Sequence, residues 1–263
     1  LLVKLNMLQG AVYGLVIMAI GRFLPGGLPG GTLRFLRLNY VVGTAAMTAG
    51  KLTAGLVPAL AGGKGLLAAL LAECGAEARA VPLVPDSLTR TRSALQRAFA
   101  ECDAVVTTGG ASVGKLDFVK AAFAELGGSQ EFWKVAIKPG KPFVFGTLAG
   151  KHLFGLPGNP VSSLACFELF VRPVLERMSG RGVAVPVRAA LVRGFTVRGD
   201  RTLCQPVQLR VSEGQLLAEP VSWTSSADLK SASDANGMAI FEPEHGEYGA
   251  GELVQVISWN GWF

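Results

Sequence analysis

Apolar residues recur along this chain with two different periods, and the change from one to the other divides it in two. Helical spacing marks Leu66–Cys74, with Gly75 as its stop, and Leu88–Glu101, where Arg90, Arg92 and Arg97 suit a solvated face and Asp86 or Ser87 suits the cap. It marks Phe118–Leu126, ended by Gly127-Gly128, and a long helix Ser162–Met178 with Pro173 inside, which predicts a kink or a late segment. Short apolar runs between these helices predict strands at Ala80–Val84, Ala104–Thr107, Phe143–Thr147 and His152–Leu156. After Gly180-Arg181-Gly182 the period falls to two, over Ala189–Phe195, Cys204–Val211, Gln215–Val221, Gly237–Phe241 and Leu253–Ile257. The expected fold is α/β: a three-layer α/β/α domain with a mostly parallel sheet over residues 61–181, then a small all-β barrel-like domain over 182–263. Residues 1–60 are expected to form no domain and to contribute little to stability.

The turns that follow the strands carry the candidate chemistry. Gly109-Gly110-Ala111-Ser112 lets backbone N–H groups approach an anion in front of a helix N-terminus, or is simply a tight strand-to-helix turn. Asp117, just beyond it, either holds a divalent cation against a phosphate or caps the next helix. Lys138-Pro139-Gly140-Lys141-Pro142 fixes two ammonium groups on a stiff loop, suited to phosphate or an oxyanion; a solvated basic turn is the competing reading. Pro157-Gly158-Asn159-Pro160 opens a helix, with Ser162 in its first turn as a phosphate donor. Loops after parallel strands leave from one edge of the sheet, so the three turns should line one crevice and take an anionic, phosphorylated ligand.

In order and spacing, Thr108-Gly109-Gly110-Ala111-Ser112-Val113-Gly114 with Asp117, then Phe132-Trp133-Lys134 leading into Lys138–Pro142, then Leu156–Ser162, resemble the molybdopterin molybdotransferases, the MoeA family, and the equivalent domain of gephyrin and its plant counterpart. The resemblance covers about residues 63–257 and is densest over 103–180. It implies a Mg²⁺-dependent enzyme of molybdenum cofactor biosynthesis that joins molybdate to adenylylated molybdopterin and releases AMP. It implies that Asp117 serves metal and substrate, that Asp86 is the acid of the preceding turn, and that Lys138 and Lys141 face the oxyanion and phosphate. Gly109, Gly110, Ser112, Pro157, Gly158, Asn159, Pro160 and Ser162 would line the ligand. Ser225, Ser226 and Asn236 match a stretch near the pterin, and Arg201 matches an arginine there. A homodimer and a cytoplasmic location are implied as well.

The same resemblance exposes departures. The family carries two further domains upstream, and nothing here matches them. Its TGDEL-like and YDSN-like turns fall by spacing near Thr44–Thr48 and Leu60–Gly63, which read Thr-Ala-Ala-Met-Thr and Leu-Ala-Gly-Gly. Two functions therefore compete: a molybdotransferase, or a catalytically impaired molybdopterin- or nucleotide-binding module. The adenylylating enzyme of the same pathway fits less well, because of the pairing of KPGKP with LPGNP and the β tail.

Composition narrows the field of partners. The 263 residues carry 25 Lys and Arg against 19 Asp and Glu, a net +6, with no run of five basic residues and no nucleic-acid motif, so a nucleic-acid partner is not expected. Cys74, Cys102, Cys166 and Cys204 form no CxxC pair and read as reduced, buried thiols; His152 and His245 are too few for a histidine metal centre. Residues 1–72 hold no acidic residue, where about five would be expected from the whole chain. A targeting segment, a low-stability appendage and a degenerate start on a truncated gene all fit that composition. Ala11–Ile20 is shorter than the roughly 20 residues a membrane helix needs, so no membrane partner is expected.

Overall fold

A computed structural model describes residues 36–43, 66–109, 118–182, 186–223, 225 and 233–259. A six-stranded sheet forms its first half, in the order β2-β1-β3-β7-β6-β4. These strands are β1 (Leu36–Gly43), β2 (Ala76–Val84), β3 (Ala104–Thr108), β4 (Ser129–Trp133), β6 (Val144–Leu148) and β7 (Lys151–Leu156). Parallel pairing joins β2, β1, β3 and β7; β6 is antiparallel to both β7 and β4, so β6 alone runs against the rest.

The pleat sends alternate side chains to two helical layers. Ala104, Val106 and Phe154 face one layer, where they meet Leu67, Leu70 and Leu71 of α1 (Leu66–Glu73) and Leu164, Phe167, Val171 and Leu175 of the long C-terminal helix. Val105 and Leu153 face the other, against Leu95, Ala98 and Phe99 of α2 (Leu88–Glu101) and Val119, Ala122 and Phe123 of α3 (Phe118–Glu125). The expected three-layer α/β/α domain is present.

The long helix begins at Pro160, two residues before the expected start. It runs as α4 (Pro160–Cys166), a π-helical turn (Phe167–Val171) and α5 (Arg172–Met178). Pro173 has no N–H to donate and its ring crowds the preceding turn. The helix answers by widening rather than breaking: the Arg172 N–H reaches back five residues to the Phe167 carbonyl.

Strand β1 departs from the expectation that residues 1–60 lie outside the folded body. It sits between β2 and β3, paired in parallel with both. The acid-free composition of this stretch hid a period-two signal, apolar at Leu36, Leu38 and Tyr40 with polar Arg37 and Asn39 between. The remaining residues of 1–60 lie outside the described set.

The second half is a closed barrel. Strands β8 (Val187–Leu191), β10 (Thr202–Ser212), β11 (Gln215–Pro220), β12 (Gly237–Phe241) and β14 (Leu253–Ser258) follow one another round it as β11-β8-β14-β12-β10, and β10 pairs back to β11. The strand expected over Ala189–Phe195 is two pieces. β8 ends at Leu191, and β9 (Phe195–Thr196) leaves the barrel to pair with β13 (Glu247–Tyr248). The break is held by Val192 N–H donating to the Ala218 carbonyl at 3.0 Å and the Arg193 guanidinium donating to the Pro220 carbonyl at 2.7 Å.

The two halves share a strand and a core. β5 (Ile137–Lys138), from the lysine-rich turn of the first half, lies parallel on β10 of the barrel. Val135, Ile137, Phe143, Cys166 and Phe170 pack in one cluster with Cys204, Met238, Ile240, Ile257 and Trp259.

Candidate functional site

Strand register decides which turns can meet. Gly43 stands opposite Val84, Val42 opposite Thr108, Thr108 opposite Leu156, Gly155 opposite Val144, and Val144 opposite Trp133. That row crosses the whole sheet at one edge. The turns after β2, β3, β4 and β7 all start from it, so the strand ends bearing the three candidate turns lie on a common edge. Chain order leaves β1 toward β2 and leaves β3 toward β4 on the opposite side, so the reversal between β1 and β3 falls on the same edge. Ligands of open α/β sheets bind at such a reversal.

Gly109 closes β3 with φ +71, and its N–H donates to the Leu156 carbonyl at 3.0 Å, tying the β3 turn to the β7 turn. Gly110, Ser112 and Asp117 lie outside the described residues. Asp86 is exposed in the turn after β2, and Ser87 is the residue at the cap of α2.

The β7 turn is built by its own backbone. Asn159 takes the cap position with extended φ/ψ, Pro160 opens the helix, and the Ser163 N–H donates to the Asn159 carbonyl at 2.8 Å. The Ser163 hydroxyl donates to the Pro157 carbonyl, closing Pro157-Gly158-Asn159 onto the first helical turn. Ser162, the serine singled out from the sequence, is buried at 5 % exposure. The sequence reading missed Ser163; a hydroxyl four residues beyond Asn159, able to bond back across the turn, was its signal.

Lys138 and Lys141 are both exposed at the lysine-rich turn. The turn is held from three sides. Val135 N–H donates to the Lys141 carbonyl at 2.9 Å and Phe143 N–H to the Gly140 carbonyl at 3.2 Å. On the barrel side, Thr202 N–H donates to the Ala136 carbonyl at 3.1 Å and the Arg201 guanidinium to the Ile137 carbonyl at 3.2 Å. Arg201 thus stands beside Lys138. Beneath, Gly140 has φ +120, and a Cβ there would lie 2.7 Å from both Cys166 Sγ and Ile137 Cδ1. Only glycine fits.

The barrel residues matched by resemblance divide. The Asn236 amide is spent on β10, accepting from Leu209 N–H at 2.6 Å and donating to the Leu209 carbonyl at 2.9 Å. Ser225 is exposed, and Ser226 lies outside the described residues.

All four cysteines are buried free thiols. Burial pushes Cys74 and Cys204 up to about 12 and Cys166 well above the ordinary thiol range, so these groups stay protonated and unreactive. His152, at 1 % exposure, is held below the usual imidazole range by burial and is neutral among Phe145 and Phe154. Among the described residues the edge carries lysines, backbone amides and hydroxyls, which stabilise negative charge, with the Asp86 carboxylate in the turn after β2. Among the described residues no cluster of three or more His, Cys, Asp or Glu gathers to hold a metal, and no helix is long and apolar enough to cross a membrane.

Comparison with known proteins agrees with this architecture. Residues 64–177 match the family described as "Probable molybdopterin binding domain", and residues 188–259 match "MoeA C-terminal region (domain IV)". The molybdopterin molybdenumtransferase of Haemophilus influenzae is 33% identical over 182 residues, 68% of this chain and 45% of that protein. The enzyme of the same name from Bacillus subtilis is 34% identical over 187 residues, 69% of this chain and 44% of that protein. The chain therefore spans about half the length of the curated relatives it matches. A crystal structure of the molybdopterin biosynthesis MoeA protein from Pyrococcus horikosii superposes with a TM-score of 0.66 at 30% identity, covering 87% of this chain and 56% of that one. The α/β domain followed by the barrel, matched domain by domain in the same order, makes this chain a member of the MoeA family, carrying its molybdopterin-binding domain and its C-terminal domain IV.

Proposed function

We propose that this edge binds adenylylated molybdopterin and molybdate and that the chain acts as a molybdopterin molybdotransferase, releasing AMP. The observation that carries the reading is the convergence of the β3, β4 and β7 turns on one sheet edge, with Lys138 and Lys141 held rigidly there by a strand shared with the barrel. Two fixed ammonium groups offset the charge of a phosphorylated ligand and a small oxyanion. Backbone N–H groups of the β3 and β7 turns donate to the remaining phosphate oxygens. Catalysis is then positioning and charge stabilisation, with no covalent step on the protein. A Mg²⁺ ion would be held by Asp117 and by ligand oxygens, since Mg²⁺ is typically bound through one or two carboxylates plus substrate phosphates; it would supply further charge compensation. The described residues form no protein-only cage for it.

Lys138→Ala and Lys141→Ala should each weaken binding of adenylylated molybdopterin by about 2 kcal/mol, roughly thirtyfold. Arg90→Ala, on the exposed face of α2, should stay within about 0.5 kcal/mol. Titration calorimetry checks this, and unchanged binding in both lysine variants sinks the assignment. A second reading, binding without turnover, is favoured by one feature: residues 44–48 carry no carboxylate where the family resemblance calls for one. AMP release measured with Mg²⁺ and molybdate decides between the two.

A further inference from the structure

The end of the barrel that holds the lysine-rich turn also carries a small flap, and one histidine fastens it. β9 and β13 leave the barrel together, with Phe195 opposite Tyr248 and Thr196 opposite Glu247. Phe195 stacks on Phe241 with ring centroids 4.4 Å apart, and Tyr248 meets the same ring edge-on at 4.8 Å. Phe241 stands opposite Leu203 of β10, and Leu203 stands opposite Lys138. Residues 197–201 run straight from the flap to the lysine turn. At one end Val197 N–H donates to the Gly246 carbonyl at 2.8 Å; at the other, Arg201 and Thr202 donate to the Ile137 and Ala136 carbonyls.

His245 lies between β12 and β13 with both ring nitrogens engaged. Nε2 is 3.0 Å from Glu252 Oε1, and Nδ1 is 2.8 Å from the Glu247 carbonyl oxygen. The second oxygen of Glu252 accepts from Gly249 N–H at 2.8 Å, as an ionised carboxylate does. Both nitrogens therefore face acceptors. A neutral imidazole has one N–H and leaves its other lone pair pointing at an oxygen; an imidazolium donates to both. The ring is stacked on Tyr248 at 4.1 Å between centroids, with the planes 16° apart. Glu252 is itself tied to the barrel, its carbonyl accepting from Leu191 N–H at 3.0 Å.

The titratable surroundings are mostly acidic. Glu242, Glu244 and Glu247 lie on the same loop and short strand, Glu252 comes from the turn before β14, and Tyr248 lies against the ring. β9 brings Phe195 and Thr196, which carry no charge, and the loop after it adds Arg198 and Asp200. Burial, and Glu244 beside it, hold the Glu242 carboxyl above its ordinary range, and His245 pulls it back.

We propose that His245 is a proton-operated clasp. With its second proton it locks the β9–β13 flap to Glu252 and braces the arm of residues 197–201 that holds the lysine turn. Without that proton the flap and the turn loosen. The proton comes from water and returns to it, and only an N–H bond is made or broken. The brace is present at the acid end of the range over which histidine changes charge and lost at the alkaline end.

Amide hydrogen exchange at about pH 5.5 and about pH 8, at low ionic strength, tests this without any ligand. Gly249, Val197 and Thr202 read the clasp, the flap and the lysine turn. Each protection factor is divided by that of Val105 in the core, which carries any change in global stability. Expected are ratios about fivefold higher at the acid pH for all three amides. In His245→Gln, which offers an N–H but no charge, the ratios should be equal at the two pH values, and Glu252→Gln should flatten them too. Wild-type ratios independent of pH would overturn the proposal, as would a His245→Gln chain that keeps the wild-type difference. So would a pH dependence at Gly249 and Val197 that stops short of Thr202, the mark of a local loop contact. Molybdate, a dianion across this range, reads the consequence for binding, which rests on the turn being an anion site. Wild type should bind it more weakly at the alkaline pH by a similar factor, and that difference should vanish in His245→Gln. A chain that binds no molybdate at either pH sinks the proposed function alone, and Thr202 still decides the clasp.

Discussion

Gly140→Ala is expected to destabilise the chain by about 3 kcal/mol and to weaken ligand binding at the same time. The substitution meets two obstacles. A φ of +120 is closed to alanine, and the new methyl would stand 2.7 Å from Cys166 Sγ and Ile137 Cδ1, both in the buried core. Neither neighbour is the free end of a flexible surface chain. Cys166 is fixed in α4, and Ile137 is pinned by the pairing of β5 with β10. The strain must move the turn, and Lys138 and Lys141 ride on it. For a chain of this size the melting temperature should fall by roughly 6–12 °C. Melting followed by circular dichroism, with ligand titration below the transition, tests both parts; a variant that melts with wild type removes the claim that this turn is wedged against the helix.

Arg172→Ala should cost more, about 3–5 kcal/mol. Arg172 donates to the wholly buried Glu168 carboxylate through Nε at 2.6 Å and Nη2 at 2.9 Å, to Glu73 at 3.0 Å, and to the Trp259 carbonyl of the barrel at 3.5 Å. Without it Glu168 is a buried carboxyl that has lost its two-pronged arginine partner. Burial already pushes Glu168 up to about 7 against the pull of Arg172. An acid with a raised folded value contributes stability that is fully present below its unfolded value, near 4.5, and lost as pH rises through about 7. The Arg172→Ala loss should therefore be small at pH 5 and large at pH 8, and Glu168→Gln should flatten the slope across that window. Urea melts at the two pH values measure it. Replacing both partners by apolar residues should recover most of the stability, as expected for a buried pair.

The elements legible in the sequence were those whose pattern is local. The α2 stripe, with Leu95, Ala98 and Phe99 buried, and the alternation of β10 and β12 were readable because one chain segment carries the whole signal. β5 was not, because two residues have no period; only their pairing with Thr202 and Leu203, some 65 positions away, makes them a strand. β4 was hidden inside a motif read for its lysines, and its first residues, Ser129 and Gln130, are polar and exposed on an edge strand. β1 was set aside on composition, although its alternation was present. At the site, the common edge was legible because it follows from parallel connections. The division of labour between Ser162 and Ser163 was not, since it depends on which hydroxyl faces the Pro157 carbonyl. Asn236 illustrates the converse: an amide in a stretch matched by resemblance to the neighbourhood of the pterin is occupied by the Leu209 backbone.

The shared strand has a consequence for how this protein can be taken apart. Sequence families draw a border between residues 177 and 188, yet the lysine turn of the first family is hydrogen-bonded into the sheet of the second, and one cluster of side chains crosses the border. Excision at that border would strip the edge of β10 and bare Cys204, Met238, Ile240, Ile257 and Trp259 to water, an apolar face that drives fragments together. Genetically the two families are separate modules; thermodynamically they are one, and neither can be swapped for a relative's counterpart unless Ile137, Lys138, Thr202 and Leu203 travel as a matched set.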